Sequence, residues 1–166
     1  YRTAPANLVP YLDTWDPSFR DWGAAAVEPK DGFYRLTRWD DDARGSVIKP
    51  RRPRFGGRVF VLIDASNSSA TFQFASLVKR NRLATLVGQT TGGNQRGING
   101  GAFFFLRLPS SKIEVDLPLV GTFPGGAVPD AGITPDVAVR PKARDIAMGI
   151  DTELEVVRGM IRARAR

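Results

Sequence analysis

Residues 59–63 read Val-Phe-Val-Leu-Ile, an unbroken and largely β-branched apolar run of the kind that forms a strand buried on both faces. The pattern then changes abruptly. A polar turn of Ser66, Asn67, Ser68 and Ser69 leads into Ala70, Phe74, Leu77 and Val78, whose spacing predicts an amphipathic helix. Residues 83–89 give a second strand. Residues 102–108 and 113–119 give a hairpin around Pro109, Ser110 and Ser111. Within that hairpin, Phe103, Phe104 and Phe105 read as a strand covered on both faces. A turn-rich stretch over 121–135 precedes a short strand at 136–139. A final helix opens on a capping box, Thr152 with Glu155, with Leu154, Val157 and Ile161 as its apolar stripe.

Upstream of residue 56 the periodicity is poor and aromatic residues are frequent: Tyr11, Trp15, Phe19, Trp22, Phe33, Tyr34 and Trp39. A short helix at 7–13 and a short strand at 32–38 are the elements expected there. The rest reads as an irregular arm packing through its rings. Asp40, Asp41 and Asp42 read as a solvated turn, since no calcium-loop spacing surrounds them. Pro50 and Pro53 among arginines mark an extended linker.

The chain has 166 residues, 42% hydrophobic and 25% charged, which suits a globular domain with a real core. No apolar run approaches the roughly 20 residues that span a bilayer, and the first residues do not look like a signal peptide. A start at Tyr1 fits an excised piece of a longer protein. The net charge of +7 is spread over separate arginine clusters without interleaved aromatics, which argues against a nucleic-acid groove. Cysteine and histidine are both absent, so thiolate chemistry is excluded and the commonest general base and metal ligand are missing. No cofactor or metal is expected.

The polar turn carries the candidate chemistry. It sets hydroxyls at the carboxyl end of a strand and at a helix N-terminus, where free N–H groups and the helix dipole favour negative charge. That is a seat for a nucleophilic serine, although Ser and Asn are also the preferred N-caps. Residues 90–101, TTGGNQRGINGG, form a glycine-rich loop that lets backbone approach a ligand closely. It lacks the Gly-Lys-Ser/Thr ending of a phosphate loop.

Taken together, VFVLIDASNSSATFQFASLVKRN, ATLVGQTTGG and GITPDVAV, in this order, resemble the C-terminal processing or tail-specific serine peptidases, the group that includes the tricorn protease. The resemblance covers residues 57–140 and implies an α/β fold with a crotonase-like or ClpP-like core of mixed β-strands, a nucleophile-bearing helix and a C-terminal helix. Residues 1–55 would then be an N-terminal arm and linker, and 56–166 the C-terminal part of the catalytic domain. By resemblance, Ser69 is the nucleophile and the Ala70 backbone N–H lies in the oxyanion hole. Asp130 or Asp136 is the acidic partner, with Pro-Asp turn roles as the plainer alternative. Thr91, Gly92 and Gly93 would line the substrate cleft.

This sequence departs from the family pattern at two positions. Phe72 stands where the family usually has an acidic residue, and Asn94 where the bacterial processing branch has its lysine base. The resemblance is therefore nearer the tricorn-like branch, whose histidine base lies upstream. It implies a polypeptide substrate, a missing upstream part that supplies the base, and an extracytoplasmic setting. The competing expectation is a non-catalytic peptide- or ligand-binding module of the same fold.

Overall fold

The computed structural model describes residues 1–13, 16–37 and 52–163. The acidic run Asp40, Asp41 and Asp42, Trp15, Trp39 and Pro50 lie outside the described residues. In chain order the elements are β1 (Ala26–Lys30), β2 (Phe33–Leu36), β3 (Phe60–Ile63), α1 (Ser69–Asn81) and β4 (Thr85–Gly88). They continue with β5 (Ile98–Arg107), β6 (Glu114–Thr122), β7 (Val137–Ala138), α2 (Ala143–Ala147) and α3 (Thr152–Arg162). No helix among the described residues is long and apolar enough to cross a membrane.

Two compact units emerge. One comprises Tyr1–Arg54 with Gly100–Val120, the other Phe55–Asn99 with Gly121–Arg166. Most of the β5–β6 pair groups with the N-terminal segment. In the first unit Ala4, Leu12 and Phe104 form a small core, flanked by Val9, Phe19, Leu106, Leu117 and Leu119. Tyr1 stacks on Phe104 at 5.6 Å, and Phe19 on Trp22 at 5.5 Å. Short 3-10 turns at Val9–Tyr11, Pro17–Arg20 and Gly23–Ala25 precede the antiparallel β1–β2 pair. Of the three phenylalanines in β5, Phe104 is buried, while Phe103 and Phe105 are half-buried and stack on each other at 6.4 Å. The strand therefore has one covered face, not two.

The second unit is built on a parallel sheet in the order β3-β4-β7. Only the middle strand is enclosed on both sides, as Leu86 and Val87 of β4 are both 0% exposed. Leu86 joins Ile63, Phe72, Ala75, Val78 and Ile133 on the α1 face. Val87 joins Val139 and Val157 on the α3 face. β3 is an edge strand, so its expected double burial is corrected: Val59 is 43% and Leu62 41% exposed. The buried stripe of α1 is also corrected. It is Phe72, Ala75 and Val78, with Phe74 and Leu77 outward. Both stripes have helical spacing, and the sheet beneath α1 decides between them.

Helix ends follow local chemistry. Without a glycine at its end, α1 closes on Arg82 in the left-handed region at φ 52°, where the Arg82 and Leu83 amides bond back to Lys79 and Val78 carbonyls. Lys79 and Arg80 sit in its last turn, as the dipole favours. α3 is capped one residue earlier than expected: the Asp151 carboxylate accepts from the Leu154 amide at 2.8 Å, and Thr152 donates to Asp145 instead. Glu155 pairs with Arg158 instead of reaching back to the cap.

Asp136 ties sheet to helix. Its carboxylate accepts from Lys79 Nζ at 2.6 Å and from the Leu86 amide at 2.9 Å. The Lys79 bond, then the Leu86 bond, hold its pKa below the usual aspartate value. A group depressed in the folded state stabilises the fold above its unfolded pKa of about 3.9. That contribution is lost as pH falls through the folded value. Asp136→Ala should destabilise the chain by about 1–3 kcal/mol, since it strands the β4 amide and leaves Lys79 only the Thr134 carbonyl. Urea melts between pH 2.5 and 7 should show a shallower acid loss in Asp136→Asn than in the wild type. An unchanged acid limb would refute this assignment.

Candidate active site at the strand–turn–helix junction

The turn after β3 is fixed by its own polar side chains. Asp64 Oδ1 accepts from the Ser66 hydroxyl at 2.5 Å and from the Ser66 amide at 2.8 Å, while Asn67 Oδ1 accepts from the Asp64 amide at 2.8 Å. The two Ser66 bonds, the hydroxyl foremost, hold the Asp64 carboxyl below its ordinary range. Ser66 and Asn67 thus build the turn, and the two serines that follow are spared. Ser68 is the N-cap of α1, yet its side chain makes no capping bond. Its carbonyl accepts from the Thr71 and Phe72 amides instead. Neither the Ser68 nor the Ser69 hydroxyl is taken up in a hydrogen bond among the described residues.

Ser69 is the first residue of α1 and has φ 52°. This is the left-handed region, which a non-glycine residue occupies at a cost of order 1–3 kcal/mol. The bend presents an exposed serine beside the first turn of a helix, where the amide of Ala70 has no intrahelical acceptor. A strained strand-to-helix turn is the geometry that holds a nucleophilic hydroxyl clear of the backbone.

A cavity of about 560 Å³ opens at this point, lined by Ser68, Ser69, Gly93, Asn94, Arg96 and Asp130, with Ile98 and Phe123 on its apolar side. Asp130 is gripped on both oxygens, by Asn94 Nδ2 at 2.5 Å and Arg96 Nη1 at 2.8 Å. The two aspartates left open by the sequence separate here. Asp130 shares the cavity with Ser69, whereas Asp136 is engaged in the sheet.

The glycine loop holds Asp130 at the cavity by pairing with residues 131–133. The Thr91 amide donates to the Ile133 carbonyl, Thr91 Oγ1 accepts from the Ile133 amide at 2.8 Å, and Gln95 bonds the Ala131 and Gly132 carbonyls. Gly132 is required there, because any Cβ would collide with the Thr91 carbonyl oxygen. Of the three expected cleft residues, Gly93 lines the cavity. Thr91 is buried against Ile133, and Gly92 packs on the Ala65 carbonyl below the turn. Phe72 is 6% exposed and lies under Gly93, so a carboxylate there would be buried in the core.

Arg96, Ile98 and Phe123 were not singled out from the sequence. Arg96 had a local signal, a charge inside the glycine loop, whereas Phe123 comes from a distant turn. A second cavity of about 340 Å³, lined in part by Leu62, Asn67, Gln89 and Ile150, lies at the same strand ends and holds none of the expected site residues. Among the described residues no cluster of acidic side chains is placed to hold a metal ion.

A strained serine between strand and helix, facing a glycine loop, is the arrangement in which serine hydrolases hold their nucleophile. The sequence model of peptidase family S41 matches residues 22–139, and the chain belongs to that family of serine peptidases. No curated protein matches the chain.

Strain at Ser69 gives a direct test. Ser69→Gly should be more stable than Ser69→Ala by about 1 kcal/mol, since glycine occupies φ 52° freely and alanine does not. Paired denaturant titrations measure the difference. An alanine variant as stable as the glycine variant would show that the bend is unstrained.

Proposed function

We propose that this chain carries the nucleophile half of a serine endopeptidase of the tail-specific, C-terminal processing type, nearest its tricorn-like branch. The observation that carries the reading is Ser69 itself: a hydroxyl with no bonding partner among the described residues, on a left-handed bend at a helix start, facing a cavity that also holds Asp130. Ser69 Oγ attacks the carbonyl carbon of a peptide bond. The Ala70 amide stabilises the oxyanion in the field of the α1 N-terminus. The amine leaves with the proton that the base took from Ser69, and water then cleaves the acyl-enzyme ester.

Neither histidine nor lysine is among the described residues that line the Ser69 cavity. Histidine is absent, and Asn94, where the processing branch has lysine, is bonded to Asp130. The base is therefore assigned to a part of the protein outside these 166 residues. Asp130 is the acidic group that orients it. Loss of one member of such a unit typically costs several orders of magnitude in rate.

A second reading has its own observation. Asn94, Arg96 and Asp130 satisfy one another, as in a cleft that binds a peptide without cleaving it.

Intact-mass detection of a fluorophosphonate adduct separates the two. The gene product that includes the upstream sequence should be labelled and its Ser69→Ala variant should not, while the 166-residue chain alone reacts at least about a hundredfold more slowly. Fast turnover of peptides by the isolated chain, abolished in Ser69→Ala, would overturn the external base. Labelling of neither protein would favour the binding module.

A further inference from the structure

The cavity of about 340 Å³ shares the serine turn with the Ser69 cavity: Asp64 and Asn67 belong to its lining, Ser68 and Ser69 to that of the larger one. Its apolar lining is exposed. Leu62 of β3, Ile146 of α2 and Ile150 before α3 meet there at 41%, 66% and 41% exposure, beside the half-buried Pro141. Apolar side chains scattered singly over a surface need no explanation, whereas several gathered in one hollow mark a contact site.

The charged lining is acidic throughout. It consists of Asp64, Asp151 and Glu153, and no lysine or arginine joins them among the described residues. In a chain of net charge +7 that is a local reversal of sign. Each of these carboxylates also keeps an oxygen free. Asp64 and Asp151 use only Oδ1, towards Ser66 and towards the Leu154 amide, and Glu153 has no hydrogen bond or ion pair among the described residues. Gln89, half-buried in the same lining, has no partner for its side-chain amide among the described residues, so two donors and an acceptor are left open.

We propose that this groove is a second peptide-binding site, which takes an extended segment carrying apolar side chains flanked by lysine or arginine. The apolar side chains cover Leu62, Ile146 and Ile150 and are favoured by the area they remove from water. The flanking cations meet Asp64, Asp151 and Glu153, which select the segment by sign. Its main chain offers the C=O and N–H groups that the Gln89 amide lacks. Phosphate-bearing ligands are repelled by the same carboxylates, and a purely polar cation has nothing to set against the apolar lining. The site goes beyond hydrolysis at Ser69 and does not depend on it.

Fluorescence anisotropy of the 166-residue chain with labelled, end-blocked octapeptides tests the site. One peptide carries Lys-Leu-Leu-Lys at its centre, a second Glu-Leu-Leu-Glu and a third Lys-Ser-Ser-Lys. The first should bind about tenfold or more tightly than either of the others. In Glu153→Gln its advantage over the glutamate peptide should fall at least about threefold, and in Ile146→Ser its advantage over the serine peptide should fall by as much, with unchanged circular dichroism spectra. Equal binding of the three peptides, preferences untouched by both substitutions, or no measurable binding would each overturn the proposal. So would sedimentation showing a dimer that Ile146→Ser dissolves, which would give the groove to a second copy of the chain.

Fluorophosphonate labelling of Ser69 is scored separately. Selective binding without any labelling would leave this site standing and overturn hydrolysis. Labelling without selective binding would do the reverse.

Discussion

The register of β3 against β4 is the constraint on which the site depends. Phe60 lies opposite Thr85 and Ile63 opposite Gly88, so the two parallel strands end together. Their continuations, the serine turn and the glycine loop, therefore leave the sheet side by side. The pairing demands glycine at 88: its φ is 127°, and a Cβ would collide with the Ile63 carbonyl oxygen. Gly92 repeats the requirement four residues on, against the carbonyl of Ala65. A shift of register by one residue would exchange Leu86 and Val87 between the two faces and separate the loop from the turn. Ligand sites in parallel sheets form at the carboxyl ends of the strands for this reason, since only there do consecutive loops converge.

The strain at Ser69 belongs to the same construction. Asp64, Ser66 and Asn67 lock the turn with side-chain hydrogen bonds, and Phe72, Ala75 and Val78 lock the axis of α1 onto the sheet. Between two fixed ends the joining residue has little choice of backbone angle. The left-handed angle at Ser69 is over-determined by its surroundings, the condition under which strain persists in a folded protein. It also sets the hydroxyl apart from the amides it would otherwise cap, which explains how a serine at a helix start has no local partner.

Legibility in the sequence followed the range of the interactions. The strand–turn–helix was readable because a β-branched run, a polar turn and a helical period lie within twenty residues of one another. The glycine loop was readable from composition, and family S41 from the order of the three segments. The buried face of α1 was not, because Phe72, Ala75 and Val78 match the helical period as well as Phe74, Leu77 and Val78 do. The choice is made by Leu86 and Ile133, far along the chain. The edge position of β3 was hidden for the same reason: an apolar run shows that a strand is covered but not how many neighbours it has.

The separation of Asp130 from Asp136 shows where local reading ends. Both follow a proline, both sit near a turn, and nothing in the segment PDAGITPD distinguishes a site carboxylate from a structural one. What distinguishes them is their partners. Asp136 is claimed by Lys79 of α1 and the amide of β4, groups belonging to the core beneath it. Asp130 is claimed by Asn94 and Arg96, residues of the loop that faces Ser69. The Thr91–Ile133 pairing decides the outcome, because it lays residues 130–133 along the glycine loop. An aspartate three residues before Ile133 then joins the lining of the Ser69 cavity, and one three residues after it returns to the sheet.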